Sequence, residues 1–256
     1  MKTDNFEFNV SDILDIAVNA GEEIMKIYSK DFDVEYKDDK SPLTEADKKS
    51  HNVIVEGLNK YGLPVLSEEG KDIPYEERKD WSLFWMVDPL DGTKEFIKKN
   101  GEFTVNIALI NNNAPVFGVV YAPAVHEIYF TDDNNAYKAE IINSKINNVK
   151  KLPLNIKKDK LIVVASKSHM NEETKKYIES LEGEKEFISK GSSLKLCMVA
   201  EGAADIYPRL APTMEWDTAA ADAVVRKAGK MTYSYENNKP LRYNKENLLN
   251  PWFVVK

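Results

Sequence analysis

With 256 residues, 43% apolar and 30% charged, the chain has material for a sizeable core and has neither a disordered nor a fibrous composition. A formal net charge of −7 leaves no basic stripe to neutralise a phosphate backbone, which excludes a nucleic-acid-binding module. It leaves room for a small anionic substrate held beside a bound cation.

The amino terminus, Met1-Lys2-Thr3-Asp4-Asn5-Phe6-Glu7, carries acids where a secretory signal carries a cationic and then an apolar stretch. Val10, Ile13, Leu14, Ala17, Gly21, Ile24, Met25 and Tyr28 recur at steps of three and four, the stripe of an amphipathic helix. A second helix is expected from Thr44, just after Pro42, to Gly62, a residue suited to the left-handed position that closes helices. Short strands around Leu63–Ser67 and Ser82–Val87 each run straight into acids, Glu68-Glu69 and Asp88. From Phe103 to Ala139 the runs Thr104–Ile110, Pro115–Tyr121 and Glu127–Phe130, separated by Asn-rich and Asp-rich turns, read as an antiparallel meander.

The charged stretch Lys150–Lys160, with Pro153, is read as a domain boundary, giving an α+β part over 1–154 and an α/β part over 155–256. The second part alternates strand (Leu161–Ala165), helix (Asn171–Leu181), strand (near Phe187), helix (Ser192–Ala200), strand (Asp205–Tyr207) and helix (Asp217–Ala228). Apolar runs such as Leu83–Val87 and Leu161–Ala165 are too short to span a bilayer and read as buried strands. The single cysteine, Cys197, cannot form an intrachain disulfide. A reducing compartment follows, and the cytoplasm is the expected location, with peripheral contact at the inner membrane face left open.

The chemistry concentrates in Asp88-Pro89-Leu90-Asp91-Gly92-Thr93. Two carboxylates stand three apart, Pro89 disfavours helix at Asp88, and Gly92 permits a sharp turn. Thr93 would open a short helix whose free N–H groups suit a phosphate. Clustered carboxylates repel one another unless protonated or neutralised, and a hard cation with oxygen ligands, Mg²⁺ before all others, suits them. Zinc is disfavoured because His51, His126, His169 and Cys197 lack zinc-ligand spacing. Alone, the hexapeptide also suits an ordinary turn, and Asp217 a helix cap.

Taken in order, Ser67-Glu68-Glu69, Asp88-Pro89-Leu90-Asp91-Gly92-Thr93 and Trp216-Asp217-Thr218-Ala219-Ala220 resemble the signature of the inositol monophosphatase superfamily of metal-dependent, lithium-sensitive phosphatases. Lys94-Glu95-Phe96, Ser166-Lys167-Ser168-His169, Gly191-Ser192-Ser193-Leu194-Lys195 and Tyr207-Pro208-Arg209 resemble its 3′(2′),5′-bisphosphate nucleotidase branch, the bacterial CysQ type. Two departures, Ser67 where glycine is common and Ala221 where glycine is frequent, remove no ligand.

The resemblance implies a layered αβαβα sugar-phosphatase-like fold with a cleft between the two parts. It implies Glu68, Asp88, Asp91 and Asp217 as carboxylate ligands, and Leu90 through its carbonyl, for two or three Mg²⁺ ions. Asp47 and Thr93 would activate the attacking water. Glu68, Gly92, Thr93, Ser166, His169, Gly191, Lys195, Arg209 and Asp217 would contact a nucleotide bisphosphate. The leading expectation is hydrolysis of 3′-phosphoadenosine 5′-phosphate to AMP and phosphate by a monomer or homodimer. The alternatives are an inositol or fructose-1,6-bisphosphatase-like sugar phosphatase, and a non-catalytic Mg²⁺- or nucleotide-binding regulator.

Overall fold

The computed structural model describes residues 1–3, 6–30, 42–165 and 170–256. Two short antiparallel strands, β1 (Lys2–Thr3) and β2 (Phe6–Glu7), precede helix α1 (Val10–Tyr28). Asn9 caps α1 by accepting a hydrogen bond from Ser11 N at 3.1 Å. The stripe that predicts this helix, including Ile13, Leu14, Ala17 and Ile24, is buried. Helix α2 (Pro42–Asn59) starts two residues earlier than expected, because proline suits the first helical position, where no N–H is needed. Gly62, at φ 65°, follows it in the left-handed conformation.

Next in chain order are β3 (Val65–Ser67), the short helix α3 (Tyr75–Arg78), β4 (Leu83–Asp91), the five-residue α4 (Thr93–Ile97), β5 (Thr104–Asn111), β6 (Ala114–Ala122), β7 (Glu127–Thr131), β8 (Ala136–Ile142) and β9 (Lys145–Lys151). The seven strands β3 to β9 form one sheet in sequence order, parallel between β3 and β4 and antiparallel elsewhere. Asn112 and Asn113, at φ 49° and 65°, make the expected β5–β6 turn. Strand β9 was not expected. Its sequence, KINNVKK, lies mostly exposed at the sheet edge and shows no apolar alternation.

Then come β10 (Leu161–Ala165), α5 (Glu172–Ser180), β11 (Lys185–Ser189), α6 (Leu194–Glu201), β12 (Tyr207–Arg209), α7 (Trp216–Lys227), β13 (Thr232–Ser234) and β14 (Phe253–Val255). Strands β10 and β11 pair in parallel, β12-β14-β13 form an antiparallel group, and a bridge from Val163 to Ile206 joins the two.

Successive side chains of β4 point to opposite faces, and both faces are covered. Trp85 and Val87 pack with α1 and α2 in one buried cluster, whereas Phe84 and Met86 pack with α6 and α7 in another. Helices α6 and α7 thus lie between the large sheet and the carboxy-terminal strands, and Tyr177 and Ile178 of α5 pack on Val163, Ile206 and Val254 beyond. The order of layers is α, β, α, β, α. At Gly118 of β6 the approach of α7 is so close that a Cβ would sit 2.1 Å from the Ala220 carbonyl oxygen. No helix among the described residues is long and apolar enough to cross a membrane.

Candidate active site

The site starts from strand register. Ser67 of β3 lies opposite Val87 of β4, so Glu68, just past the end of β3, and Asp88, within β4, follow side by side, and Glu68 N donates to Val87 O at 3.2 Å. Beyond Asp88 the pairing of β4 with β5 shifts register before Asp91. There Leu90 N donates to Asp88 Oδ1 at 3.0 Å, and Ser50 of α2 donates from its hydroxyl to Pro89 O at 2.8 Å. Gly92, at φ 96°, then turns the chain into α4. A Cβ at Gly92 would meet Glu102 O and Phe103 Cα at 3.1 Å, so glycine is required on both counts.

Asp217 enters from the first turn of α7. Its Oδ2 accepts from Thr213 Oγ1 at 2.6 Å and from Met214 N at 2.9 Å. One carboxylate oxygen each of Glu68, Asp88 and Asp217 lies within 4.8 Å of the others. Asp88 is 1% exposed, and its Oδ2 is buried without a partner, as is Asp47 Oδ1 on α2.

Burial and mutual repulsion push these acids up. Asp88 lies well above the carboxylate range, from burial first and then from Asp91, Glu68, Asp217 and Asp47. Asp91 is pushed up to about 7 by burial and then Asp217, against Lys195 and the Ser193 N–H. Asp47 is pushed up to about 8 by burial, Glu69 and Glu68. Glu68 rises to about 7 from burial, Asp217 and Glu69, and as the exposed member of the trio it is the most open to solvent screening. Asp217 rises from burial, against hydrogen bonds from Thr213 and Met214. Converging carboxylates with orphaned buried oxygens fit a hard divalent cation, which would supply the missing partner and relieve the repulsion.

The same cavity, of about 260 Å³, has a basic wall. Lys195 of α6, 5% exposed, donates to Ser192 O at 2.6 Å, and burial lowers it to about 8 against the pull of Asp91. Arg209 of β12 donates to Pro212 O at 2.6 Å while its Nε is buried without a partner. Leu90, Gly92, Thr93, Lys94 and Glu95 also line the cavity.

Sequence-predicted residues therefore fall into three groups. Glu68, Asp88, Leu90, Asp91, Gly92, Thr93, Lys195, Arg209 and Asp217 meet at one cavity. Asp47 and Gly191 flank it. Asp47 acts electrostatically on Asp88, and a Cβ at Gly191 would lie 2.7 Å from Glu95 Cγ and 2.8 Å from Glu102 O. Ser166 and His169 lie outside the described residues.

The support of Asp91 escapes sequence reasoning. Ser193 N donates to Asp91 Oδ2 at 2.6 Å, and its hydroxyl bonds Asn106 Oδ1 and Thr104 Oγ1, each at 2.8 Å. The available signal is Asn106, the one polar residue within the run Val105 to Ile110. His51 likewise ties α2 to the Glu68 loop through Ser67 Oγ at 2.9 Å.

A layered αβαβα fold with strand-end acids facing a helix-borne aspartate defines a class of metal-dependent phosphatase. The Inositol monophosphatase family model matches residues 9–251, and the chain belongs to that family, whose members depend on a divalent metal, typically Mg²⁺. Within it, the chain is similar to the 3′(2′),5′-bisphosphate nucleotidase CysQ of Shigella flexneri and to that of Escherichia coli (strain K12). Each is 47% identical over 251 residues, covering 95% of this chain and 97% of the relative. Among solved structures, CysQ from Bacteroides thetaiotaomicron aligns with a TM-score of 0.90 at 50% identity, covering 96% of each chain. An IMPase of Thermotoga maritima, at 21% identity and a TM-score of 0.69 over 95% of this chain and 89% of that one, shares the fold.

Proposed function

We propose that this protein is a Mg²⁺-dependent 3′(2′),5′-bisphosphate nucleotidase, acting in the cytoplasm, that hydrolyses 3′-phosphoadenosine 5′-phosphate to AMP and phosphate. The observation that carries this reading is one cavity with an acid wall fit for cations and a basic wall of the buried Lys195 and the half-buried Arg209. A substrate with two phosphates answers both walls, and the similarity to the CysQ nucleotidases supports the nucleotide.

Glu68, Asp88, Asp91, Asp217 and the Leu90 carbonyl are the residues for two or three Mg²⁺ ions. When bound, Mg²⁺ would stabilise developing phosphoryl charge and make water easier to deprotonate. Asp47 Oδ1, buried and without a partner, would accept the proton of the attacking water, and the Thr93 hydroxyl would orient that water. Ser193 holds Asp91 in place. Lys195 and Arg209 would bind the phosphate that is not cleaved, while Gly191, Ser166 and His169 would contact the nucleotide. Residues 1–154 and 155–256 form the two parts that meet at this cleft.

The test is phosphate release from 3′-phosphoadenosine 5′-phosphate, inositol 1-phosphate and fructose 1,6-bisphosphate, with and without Mg²⁺ and Li⁺. The nucleotide should lead in kcat/KM. A preference of about tenfold or more for either other substrate overturns the assignment.

A further inference from the structure

We infer that Glu215 and Arg78 are positioning residues that hold Asp217 opposite Glu68 and so set the cation affinity of the site. The inference rests on the assignment of Glu68, Asp88 and Asp217 as metal ligands. Glu215 is 0% exposed and lies two residues before Asp217. Its carboxylate accepts from Asn244 N at 2.5 Å, from Lys245 N at 3.1 Å and from Lys245 Nζ. Asn244 passes the connection on: its Oδ1 accepts from Arg78 Nη1 at 2.8 Å, and its Nδ2 donates to Arg78 O at 2.6 Å. Arg78, 3% exposed, also donates to Lys245 O at 2.7 Å, Glu246 O at 2.9 Å and Ile73 O at 3.3 Å. Arg78 closes the short helix α3, in the segment that leaves Glu68.

A buried, hydrogen-bonded path thus runs from the Glu68 segment to the start of α7. The direct hydrogen bonds of the Asp217 carboxylate are local, from Thr213 and Met214, and these two are themselves held by Asn250. Burying a guanidinium among carbonyls and a carboxylate among amides is a costly way to gain stability, since apolar residues of similar volume do as well. What such a network provides is defined geometry. Neither Arg78 nor Glu215 lines the cavity, so their effect on the reaction must pass through Asp217.

The test uses Glu215→Gln and Arg78→Lys in the full chain, with Mg²⁺ binding to the substrate-free protein measured by calorimetry and by the Mg²⁺-induced rise in Tm. Loosening the anchor of the turn that carries Asp217 should weaken Mg²⁺ about tenfold, the lower end of what the loss of a ligand's own hydrogen-bond partner costs. KM for the nucleotide bisphosphate at saturating Mg²⁺ should stay within about twofold. Asp222→Asn is the control. This buried carboxylate of α7 bonds Arg226 and Tyr243 and does not line the cavity, and its loss should lower Tm without moving Mg²⁺ binding. Should Glu215→Gln fail to fold, Lys245→Met removes the ammonium contact and keeps both backbone bonds, and about threefold weaker binding is expected. Variants that lose Tm as Asp222→Asn does, with Mg²⁺ binding unchanged, overturn the inference. Asp88→Asn separates the two levels: if it too leaves Mg²⁺ binding unchanged, the metal assignment fails and the inference falls with it.

Discussion

Gly118→Ala is the sharpest test of how the fold carries the site. The new Cβ would stand 2.1 Å from Ala220 O and 2.9 Å from Ala223 Cβ, roughly 1.3 Å short of the 3.4 Å at which ordinary contact with the oxygen begins. Strand β6 cannot retreat freely, because Gly118 N is bonded to Thr131 Oγ1 of β7 at 3.1 Å. Helix α7 must therefore lift from the sheet, against the burial of Ala219, Ala220, Ala223 and Val224. Overpacking against backbone on both sides should cost about 3 kcal/mol, the upper end of the usual range. For a domain of this size that lowers Tm by about 6–12 °C. Because α7 carries Asp217, the Mg²⁺ concentration for half-maximal activity should rise as well. Thermal unfolding at fixed Mg²⁺ beside Gly183→Ala, where φ is 85° and nothing lies within 4 Å, separates crowding from backbone strain. The control should lose only about 1–2 kcal/mol. A Gly118→Ala protein with the parent Tm and Mg²⁺ dependence would refute the close-packing argument.

Asp88→Asn should lower kcat by about 10²–10³-fold and abolish the Mg²⁺-induced rise in Tm, checked by phosphate release and calorimetry. Lys195→Met should raise KM for the nucleotide bisphosphate by about tenfold or more while leaving KM for a monophosphate nearly unchanged, since one buried charge-assisted contact is lost. The pH dependence of metal-free stability has a fixed sign. Asp47 is raised to about 8, and Asp91 and Glu68 to about 7, so the folded protein retains protons that the unfolded chain has released. Their stabilising contribution is complete below about pH 4 and is lost as pH rises through 7 to 8. Metal-free Tm should fall over that interval and saturating Mg²⁺ should reduce the fall, whereas a rising metal-free Tm contradicts the arrangement of acids.

The parts legible in the sequence are those where one face or one turn decides the structure. The α1 stripe, the β4 run into Asp88 and the Gly92 turn are local patterns, and they appear where expected. Strand β9 is illegible because an exposed edge strand needs no apolar alternation. Strands β13 and β14 are three residues each, too short for a period to register. Of the site, the acids could be read because repulsion makes their clustering chemically informative. Ser193, Arg78 and Glu215 could not, because what they hold lies far along the chain: Asp91 is 102 residues from Ser193, and Asn244 is 166 from Arg78.

The single parallel pairing in the large sheet, β3 with β4, acts as a ruler. The last paired rung, Ser67 with Val87, comes one residue before Glu68 and Asp88, so the two acids start from backbones set at the strand spacing of any sheet, about 4.8 Å. That distance is a property of the peptide hydrogen bond and does not change when neighbouring side chains do. Asp217, held by a helix and side-chain contacts, is the adjustable jaw. Substrate preference can therefore drift on the α6, α7 and β12 walls while the two strand-borne carboxylates keep their backbone spacing.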